Sequence, residues 1–293
     1  MPFRLRSPLW PDRRAKPAFG VQLNRDEPLA RGLLHYWVMN ETGSNALFDL
    51  VSRVTISKTG SPAWDGRGWK SFSGSDYFAS ADNATAFTDP NQMSFAASYT
   101  LTGDPTAVRC TIYCSDDAGT AGIPVFEVGY GETAGANCLG VLVPGLFVVY
   151  PAAGSIAQGE TAQVLYTRTA AKANAIYKNG VPLTLISDDT STAFANSTTK
   201  RGVGIRLQSL GNEFIGTIHW VALWDRTLSP VEALRLAQDP YCMLAPARAR
   251  RWRPSSDAAP DGHPAMRRFG LAQHMAGLAS IGRSGSQLFS PER

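Results

Sequence analysis

Phe214 to Pro240 reads FIGTIHWVALWDRTLSPVEALRLAQDP, and this stretch decides the fold. Ile215, Thr217, His219, Val221 and Leu223 alternate with Phe214, Gly216, Ile218, Trp220, Ala222 and Trp224. Both sets are largely apolar, which predicts a strand covered on both faces. Asp225 and Arg226 stop it. Ser229 then stands as a helix cap, Pro230 suits the first helical position, and Glu232 lies three residues after the cap as in a capping box. A short helix over 231–238 follows. It ends before Asp239-Pro240, where proline cannot continue it.

Outward from this stretch the chain is a succession of short strands and turns. Leu34, Tyr36 and Val38 are expected on one face of a strand and His35, Trp37 and Met39 on the other. Gln92 to Leu101 alternates strongly, with Met93, Phe95, Ala97 and Tyr99 on one side. Further strands are expected over 107–113, 124–130, 138–143, 146–150, 162–168, 173–178 and 200–207. Asn179-Gly180 is the strongest hairpin mark in the chain. There is no βαβ alternation and no repeat of fixed period.

The closing stretch resembles the end of concanavalin-A-like, laminin-G-like jelly rolls through Gly216, Ile218, Leu223, Trp224, Asp225, Arg226, Leu228, Ser229 and Glu232. Gly32, Leu33, Trp37, Asn40, Glu41, Gly43 and Asp49 resemble the opening strand of the same group, with one residue fewer between Glu41 and Gly43. Trp64 to Gly74, Asp76-Tyr77-Phe78 and Ala175 to Val181 resemble its inner strands. The resemblance implies an all-β, two-sheet antiparallel jelly-roll sandwich with one short helix. Gly20 to Asn24 and Asp239 to Leu244 add a resemblance to bacteriophage and prophage proteins carrying such a domain. It covers 20–244 and not 245–293.

The 293 residues carry 28 Lys and Arg against 24 Asp and Glu, unevenly placed. Residues 1–28 hold six basic against three acidic, and 245–293 hold eight against three. The remaining 29–244 hold 14 against 18, an acidic body between basic ends. The expected organisation is an extended N-terminal arm over 1–28, a jelly-roll domain over 29–244, and a basic linker with a C-terminal arm over 245–293. Phe3, Trp10, Arg13 and Arg14 in the first arm, and Arg250, Arg251, Trp252, Phe269 and Phe289 in the second, are the candidate partner-binding residues. Arginine interleaved with tryptophan suits phosphates and bases. It suits an acidic protein surface as well, and nucleic acid is not the expected partner.

The chain has no apolar run long enough to cross a membrane and no signal-peptide core after its arginine-rich start, so no membrane partner is expected. Cys110 and Cys114 lack the second pair that a zinc site requires and read as small core residues. Asp49, Asp76, Asp116 and Asp117 are candidate calcium ligands by the resemblance, against a default reading as solvated turn acids. No metal and no cofactor are expected. Hydrolase motifs are absent, as is the E-x-D-x-x-E carboxylate pattern of sugar-cleaving jelly rolls. His219 is a lone candidate base, and Asp116-Asp117 and Asp188-Asp189 fall in turns. An enzyme is not expected. Trp64, Trp69 and Tyr77 form either a sugar-stacking platform or ordinary core.

These readings lead to a phage virion structural protein, on capsid or tail, made in the host cytoplasm. Its arms latch other virion subunits and its copies form a homo-oligomer. The alternative is an adhesin that binds host glycan through loop-borne aromatics.

Overall fold

The computed structural model describes residues 16–70, 72, 76–80, 87–104, 109–115, 125–131, 135–143, 146–195, 200–207 and 212–245. In chain order these form β1 (Gln22–Leu23), a 3-10 turn (Pro28–Ala30), β2 (Leu33–Trp37), β3 (Ala46–Phe48), β4 (Thr55–Thr59), β5 (Ala63–Trp64), β6 (Trp69–Lys70) and β7 (Tyr77–Ala79). The middle of the chain supplies β8 (Met93–Leu101), β9 (Arg109–Cys114), β10 (Val125–Gly131), β11 (Gly135–Val143) and β12 (Leu146–Pro151). Then come β13 (Thr161–Arg168), β14 (Asn174–Lys178), β15 (Val181–Pro182), β16 (Leu185–Asp188), β17 (Gly202–Val203), β18 (Gly216–Trp224), α1 (Pro230–Gln238) and β19 (Leu244–Ala245).

One sheet runs β16-β12-β11-β10-β9-β17-β7-β4-β3, and the facing one runs β15-β14-β13-β8-β18-β6-β5. Every pairing is antiparallel, so the expected all-β sandwich is the architecture found. Between the sheets lies a core that includes Trp37, Phe78, Phe95, Phe126, Tyr166, Val221 and Leu223. A second apolar layer covers part of the outer face of the β8–β18 sheet, where Leu33, Tyr36, Leu165, Trp220, Ala222 and Trp224 pack under Leu236 of α1 and Leu29. The apolar character of both faces of β18 follows: one side meets the inner core and the other meets the helix.

The capping box forms as the sequence predicts. Ser229 Oγ accepts from the Glu232 amide and Glu232 Oε2 accepts from the Ser229 amide at 2.9 Å. Arg226 adds a two-pronged bond to Glu232 at 2.7 and 3.1 Å. Asn179 and Gly180 have φ of 51° and 82° and join β14 to β15, the geometry that a two-residue hairpin requires.

Three expectations are corrected. Residues 16–28 do not form a free arm: β1 pairs with β19, Val21 is buried, and Asn40 Nδ2 donates to the Pro17 and Ala18 carbonyls at 3.1 Å. A two-residue strand that pairs with the far end of the body, Gln22 with Ala245 and Leu23 with Leu244, leaves no periodic signal to read. The strand expected over 200–207 shrinks to β17, because the chain bends at Gly204 with φ 84°, where a Cβ would lie 2.2 Å from the Phe72 ring. Trp69 is 1 % exposed and lies edge-on to Phe78 with centroids 5.0 Å apart, so it is core and offers no face to a sugar.

Candidate functional site

The second edge of β18 is shared. Thr217 and Ile218 pair with β6, and Val221 to Trp224 pair with β2. His219 falls in the gap between the two partners. On the other edge the register with β8 slips there: Ile218 faces Tyr99 and Trp220 faces Ser98, leaving His219 as a bulge. The slip breaks the simple alternation read from the sequence. Ile218, Val221 and Leu223 enter the inner core, while Trp220, Ala222 and Trp224 join the outer layer.

The His219 carbonyl lies in this gap, half-buried, where a carbonyl calls for a donor. Lys16 supplies the donor: its Nζ reaches His219 O at 2.9 Å and also bonds Arg67 O. Burial pulls the Lys16 ammonium down to about 7, against the opposing pull of Glu41 and Asp65. Gly68 sits tight against the same place, since a Cβ there would lie 2.1 Å from Ile218 O.

Beside the bulge, on the outer face of the sheet, lies an open groove of about 910 Å³. Its floor is Ser98 of β8, Thr161 and Gln163 of β13, and His219. Leu234, Ala237 and Tyr241 form an apolar wall on the side of α1, and Lys16, Arg67 and Asn179 stand at other margins. No Asp or Glu lines it among the described residues.

The hydrogen bonds of the floor run in a line. His219 Nδ1 lies 3.2 Å from Arg67 O, Nε2 lies 2.8 Å from Thr100 Oγ1, and Thr100 Oγ1 lies 2.7 Å from Thr161 Oγ1. Burial holds His219 below its ordinary pKa; the Arg67 carbonyl and Asp65 oppose this, and the Lys16 and Arg67 cations reinforce it. Asp65 belongs to the neighbouring turn. Its carboxylate accepts from the Arg67 and Gly68 amides and from Thr217 Oγ1 at 2.9 to 3.0 Å.

Of the aromatic residues predicted for sugar stacking, Trp64 and Trp69 stand opposite each other across β5 and β6, but both are turned to the inner core and Tyr77 is not beside them. Trp64 is partly buried against the inner core. Tyr77 is on β7 in the other sheet, pointing away from the core that holds Phe78. The arm candidates Phe3, Trp10, Arg13, Arg14, Arg250, Arg251, Trp252, Phe269 and Phe289 lie outside the described residues, as do Asp116 and Asp117.

The remaining acids named above are engaged by hydrogen bonds within the body. Asp49 accepts from His35 at 2.6 Å, from Ser52 at 2.6 Å and from the Tyr36 and Val51 amides. Asp76 accepts from the Ser61 amide, and Asp189 accepts from Ser191 and Thr192. Of the groove residues, sequence reasoning reached only His219. Ser98, Thr161 and Gln163 carried a readable signal, a polar position at alternate steps of two otherwise apolar strands, but nothing local showed that these faces meet.

No family model matches the chain, and no curated protein matches it in sequence. Among solved structures, Trypanosoma rangeli sialidase matches 71 % of this chain at 15 % identity with a TM-score of 0.52. The same sialidase in complex with sialic acid matches at 16 % identity and 0.52. In both cases the match spans only 33 % of the sialidase, about a third of its length. Domain 4 of a GH43 extracellular arabinanase from Geobacillus stearothermophilus, in complex with arabinotriose, is covered over 98 % of its length, at a TM-score of 0.44 too loose to carry weight. The likeness to the sialidase shows a shared fold, and that fold is a two-layered antiparallel β-sandwich.

Proposed function

We propose that the protein is a carbohydrate-binding module whose ligand lies in the groove beside the His219 bulge. The observation that carries this reading is the pairing of a hydroxyl-and-amide floor with an apolar wall. Ser98, Thr161 and Gln163 present short polar groups side by side, as hydrogen bonding to vicinal sugar hydroxyls requires. Leu234 is 47 % exposed and, with Ala237, gives a surface for the C–H face of a pyranose. A lining without carboxylates among the described residues favours binding over glycoside cleavage, which uses a carboxyl pair. The sialidase, solved with a sugar acid, lends the reading support from fold alone. A glycan array followed by calorimetry tests it. Thr161→Val and Gln163→Ala should each weaken the best ligand about tenfold with unchanged melting temperature, and undiminished binding in both variants would reject the groove.

The virion reading is compatible with this one and rests on a separate observation, the uneven charge of the chain. Its basic ends carry apolar and aromatic residues next to an acidic body. In this reading the module is displayed on a phage particle, bound to other virion subunits through the segments before residue 16 and after 245, and meets host glycan. Deleting 254–293 should abolish incorporation into particles while the sandwich stays folded. Full loading of the truncated protein would end this reading and leave glycan binding standing.

A further inference from the structure

We propose that the line His219–Thr100–Thr161 fixes Thr161 as a hydrogen-bond acceptor, so that the groove selects a neutral, hydroxyl-bearing saccharide over one with a carboxylate at the same position. The proposal rests on the carbohydrate reading and names the ligand class for that same groove.

The polarity of the line follows from its inner end. Arg67 O can only accept, so His219 Nδ1 at 3.2 Å carries the proton. In the neutral ring Nε2 is then an acceptor, and Thr100 must donate to it across 2.8 Å. Thr100 has one proton and has spent it. The 2.7 Å contact to Thr161 is therefore made by the Thr161 hydroxyl donating to Thr100 Oγ1. What Thr161, an exposed residue on the floor, has left to offer the groove is a lone pair. A sugar hydroxyl can donate to that oxygen and an ionised carboxylate cannot.

The ring is neutral near pH 7 because burial disfavours its charge. The groups facing it are the Arg67 cation and Lys16, itself only partly charged near pH 7, which disfavour it further, and Asp65, which opposes them. Arg67 competes in the other direction, since an exposed cation at the rim attracts anions. Water and salt screen it, whereas a carboxylate set against the Thr161 oxygen meets a lone pair at contact distance. Ser98 and Gln163 each offer both donor and acceptor and do not discriminate.

Acid reverses the line. A proton taken up at Nε2 is donated to Thr100, Thr100 then donates to Thr161, and Thr161 turns its own proton to the groove. The preference should therefore pass to carboxylates as His219 titrates.

The test uses the whole chain and a panel of neutral hexose tetrasaccharides, each paired with its C6-carboxylate counterpart, by calorimetry at pH 7.5 and at the lower pH where nitrogen-15 spectra show the His219 ring doubly protonated. The expected result is about tenfold preference for the neutral member at pH 7.5, shrinking or inverting once the ring is charged. Thr100→Val, which frees the Thr161 proton, should lose the preference at pH 7.5, and Thr100→Ser should restore it. Nitrogen-15 spectra of the imidazole give a readout free of any sugar: a neutral ring protonated at Nδ1 is expected, and one protonated at Nε2 overturns the proposal. Carboxylate preference at pH 7.5, or Thr100→Val without effect on it, also overturns the proposal while leaving glycan binding intact. Binding of no member of the panel, beside Nδ1-protonated spectra, rejects the carbohydrate reading and the selectivity with it.

Discussion

Two tryptophans with the same burial should respond very differently to the same substitution. Trp224 and Trp37 are both 0 % exposed. Trp224 Nε1 donates to Leu29 O at 2.7 Å and so ties the N-terminal turn to the central strand. Trp37 Nε1 has no hydrogen-bond partner among the described residues, though its ring stacks on His35 at 5.0 Å and lies tilted against Tyr113 at 5.9 Å. Replacement by Phe removes roughly 40 Å³ from either site, about 1 kcal/mol at about 24 cal/mol per Å³ of cavity left. In Trp224→Phe the Leu29 carbonyl is orphaned as well, at about 1–3 kcal/mol, for a total of about 2–4. In Trp37→Phe an unpaired buried donor disappears, which returns about as much as the lost volume costs, so the variant should stay within about 1 kcal/mol of the parent. The assay is urea unfolding followed by tryptophan fluorescence and far-ultraviolet dichroism. With an m-value of about 3 kcal/mol/M, Trp224→Phe should lower the midpoint by about 1 M and Trp37→Phe should scarcely move it. Equal losses, or a larger loss for Trp37→Phe, would refute the reasoning.

Ser229→Ala removes the acceptor of the capping box and should cost about 1 kcal/mol in the same assay, with Ser229→Gly closer to the parent; no difference from the parent would deny the cap a role. Gly68→Ala forces a methyl group to 2.1 Å from Ile218 O, backbone that cannot yield without moving the bulge. It should destabilise by about 1–3 kcal/mol and abolish groove binding in protein that remains folded. Burial holds His35 below its ordinary pKa, reinforced by Arg201 and opposed by Asp49. Burial alone would raise Asp49, but the bonds from His35, Ser52 and the Tyr36 amide hold it below the ordinary carboxylate range. Both groups bind protons less readily folded than unfolded, so their stabilisation is complete above about pH 7 and is lost as pH falls, first below about 6.5 and then below about 4. The urea midpoint should decline in that order between pH 8 and 3, Asp49→Asn should remove the lower step, and a midpoint that rises between pH 7 and 5 would contradict the assignment.

The β18–α1 junction was legible because each of its signals is local. The cap, the proline, the glutamate three residues on and the two apolar faces all lie within 27 residues. The Asn179-Gly180 hairpin was legible for the same reason, since positive φ at both positions is demanded by the residues themselves. The groove was not. Its floor is assembled from β8, β13 and β18, and its one unusual feature, the bulge at His219, arises because β6 ends and β2 begins at that place on the neighbouring edge. No property of the T-I-H-W-V sequence marks a register slip, so strict alternation was the natural reading and placed His219 with Val221. Trp69 shows a related limit: an aromatic residue in a short strand has the same pattern whether it faces a partner sheet or a ligand.

The pairing of Gln22 with Ala245 brings the two ends of the sandwich into register on one small ribbon. A few linking residues would join them, and the sequence could then be opened elsewhere. The tight turn at Ala170-Ala171-Lys172, between β13 and β14 and away from the groove, is a suitable place to cut. Such a rearranged chain should keep its sandwich while presenting new ends at a different edge, and it keeps its groove only if the link runs to residue 16, so that Lys16 stays on the His219 carbonyl. For the same reason the unaltered body can be set into a surface loop of a carrier protein as a single insertion, entering and leaving through one narrow doorway.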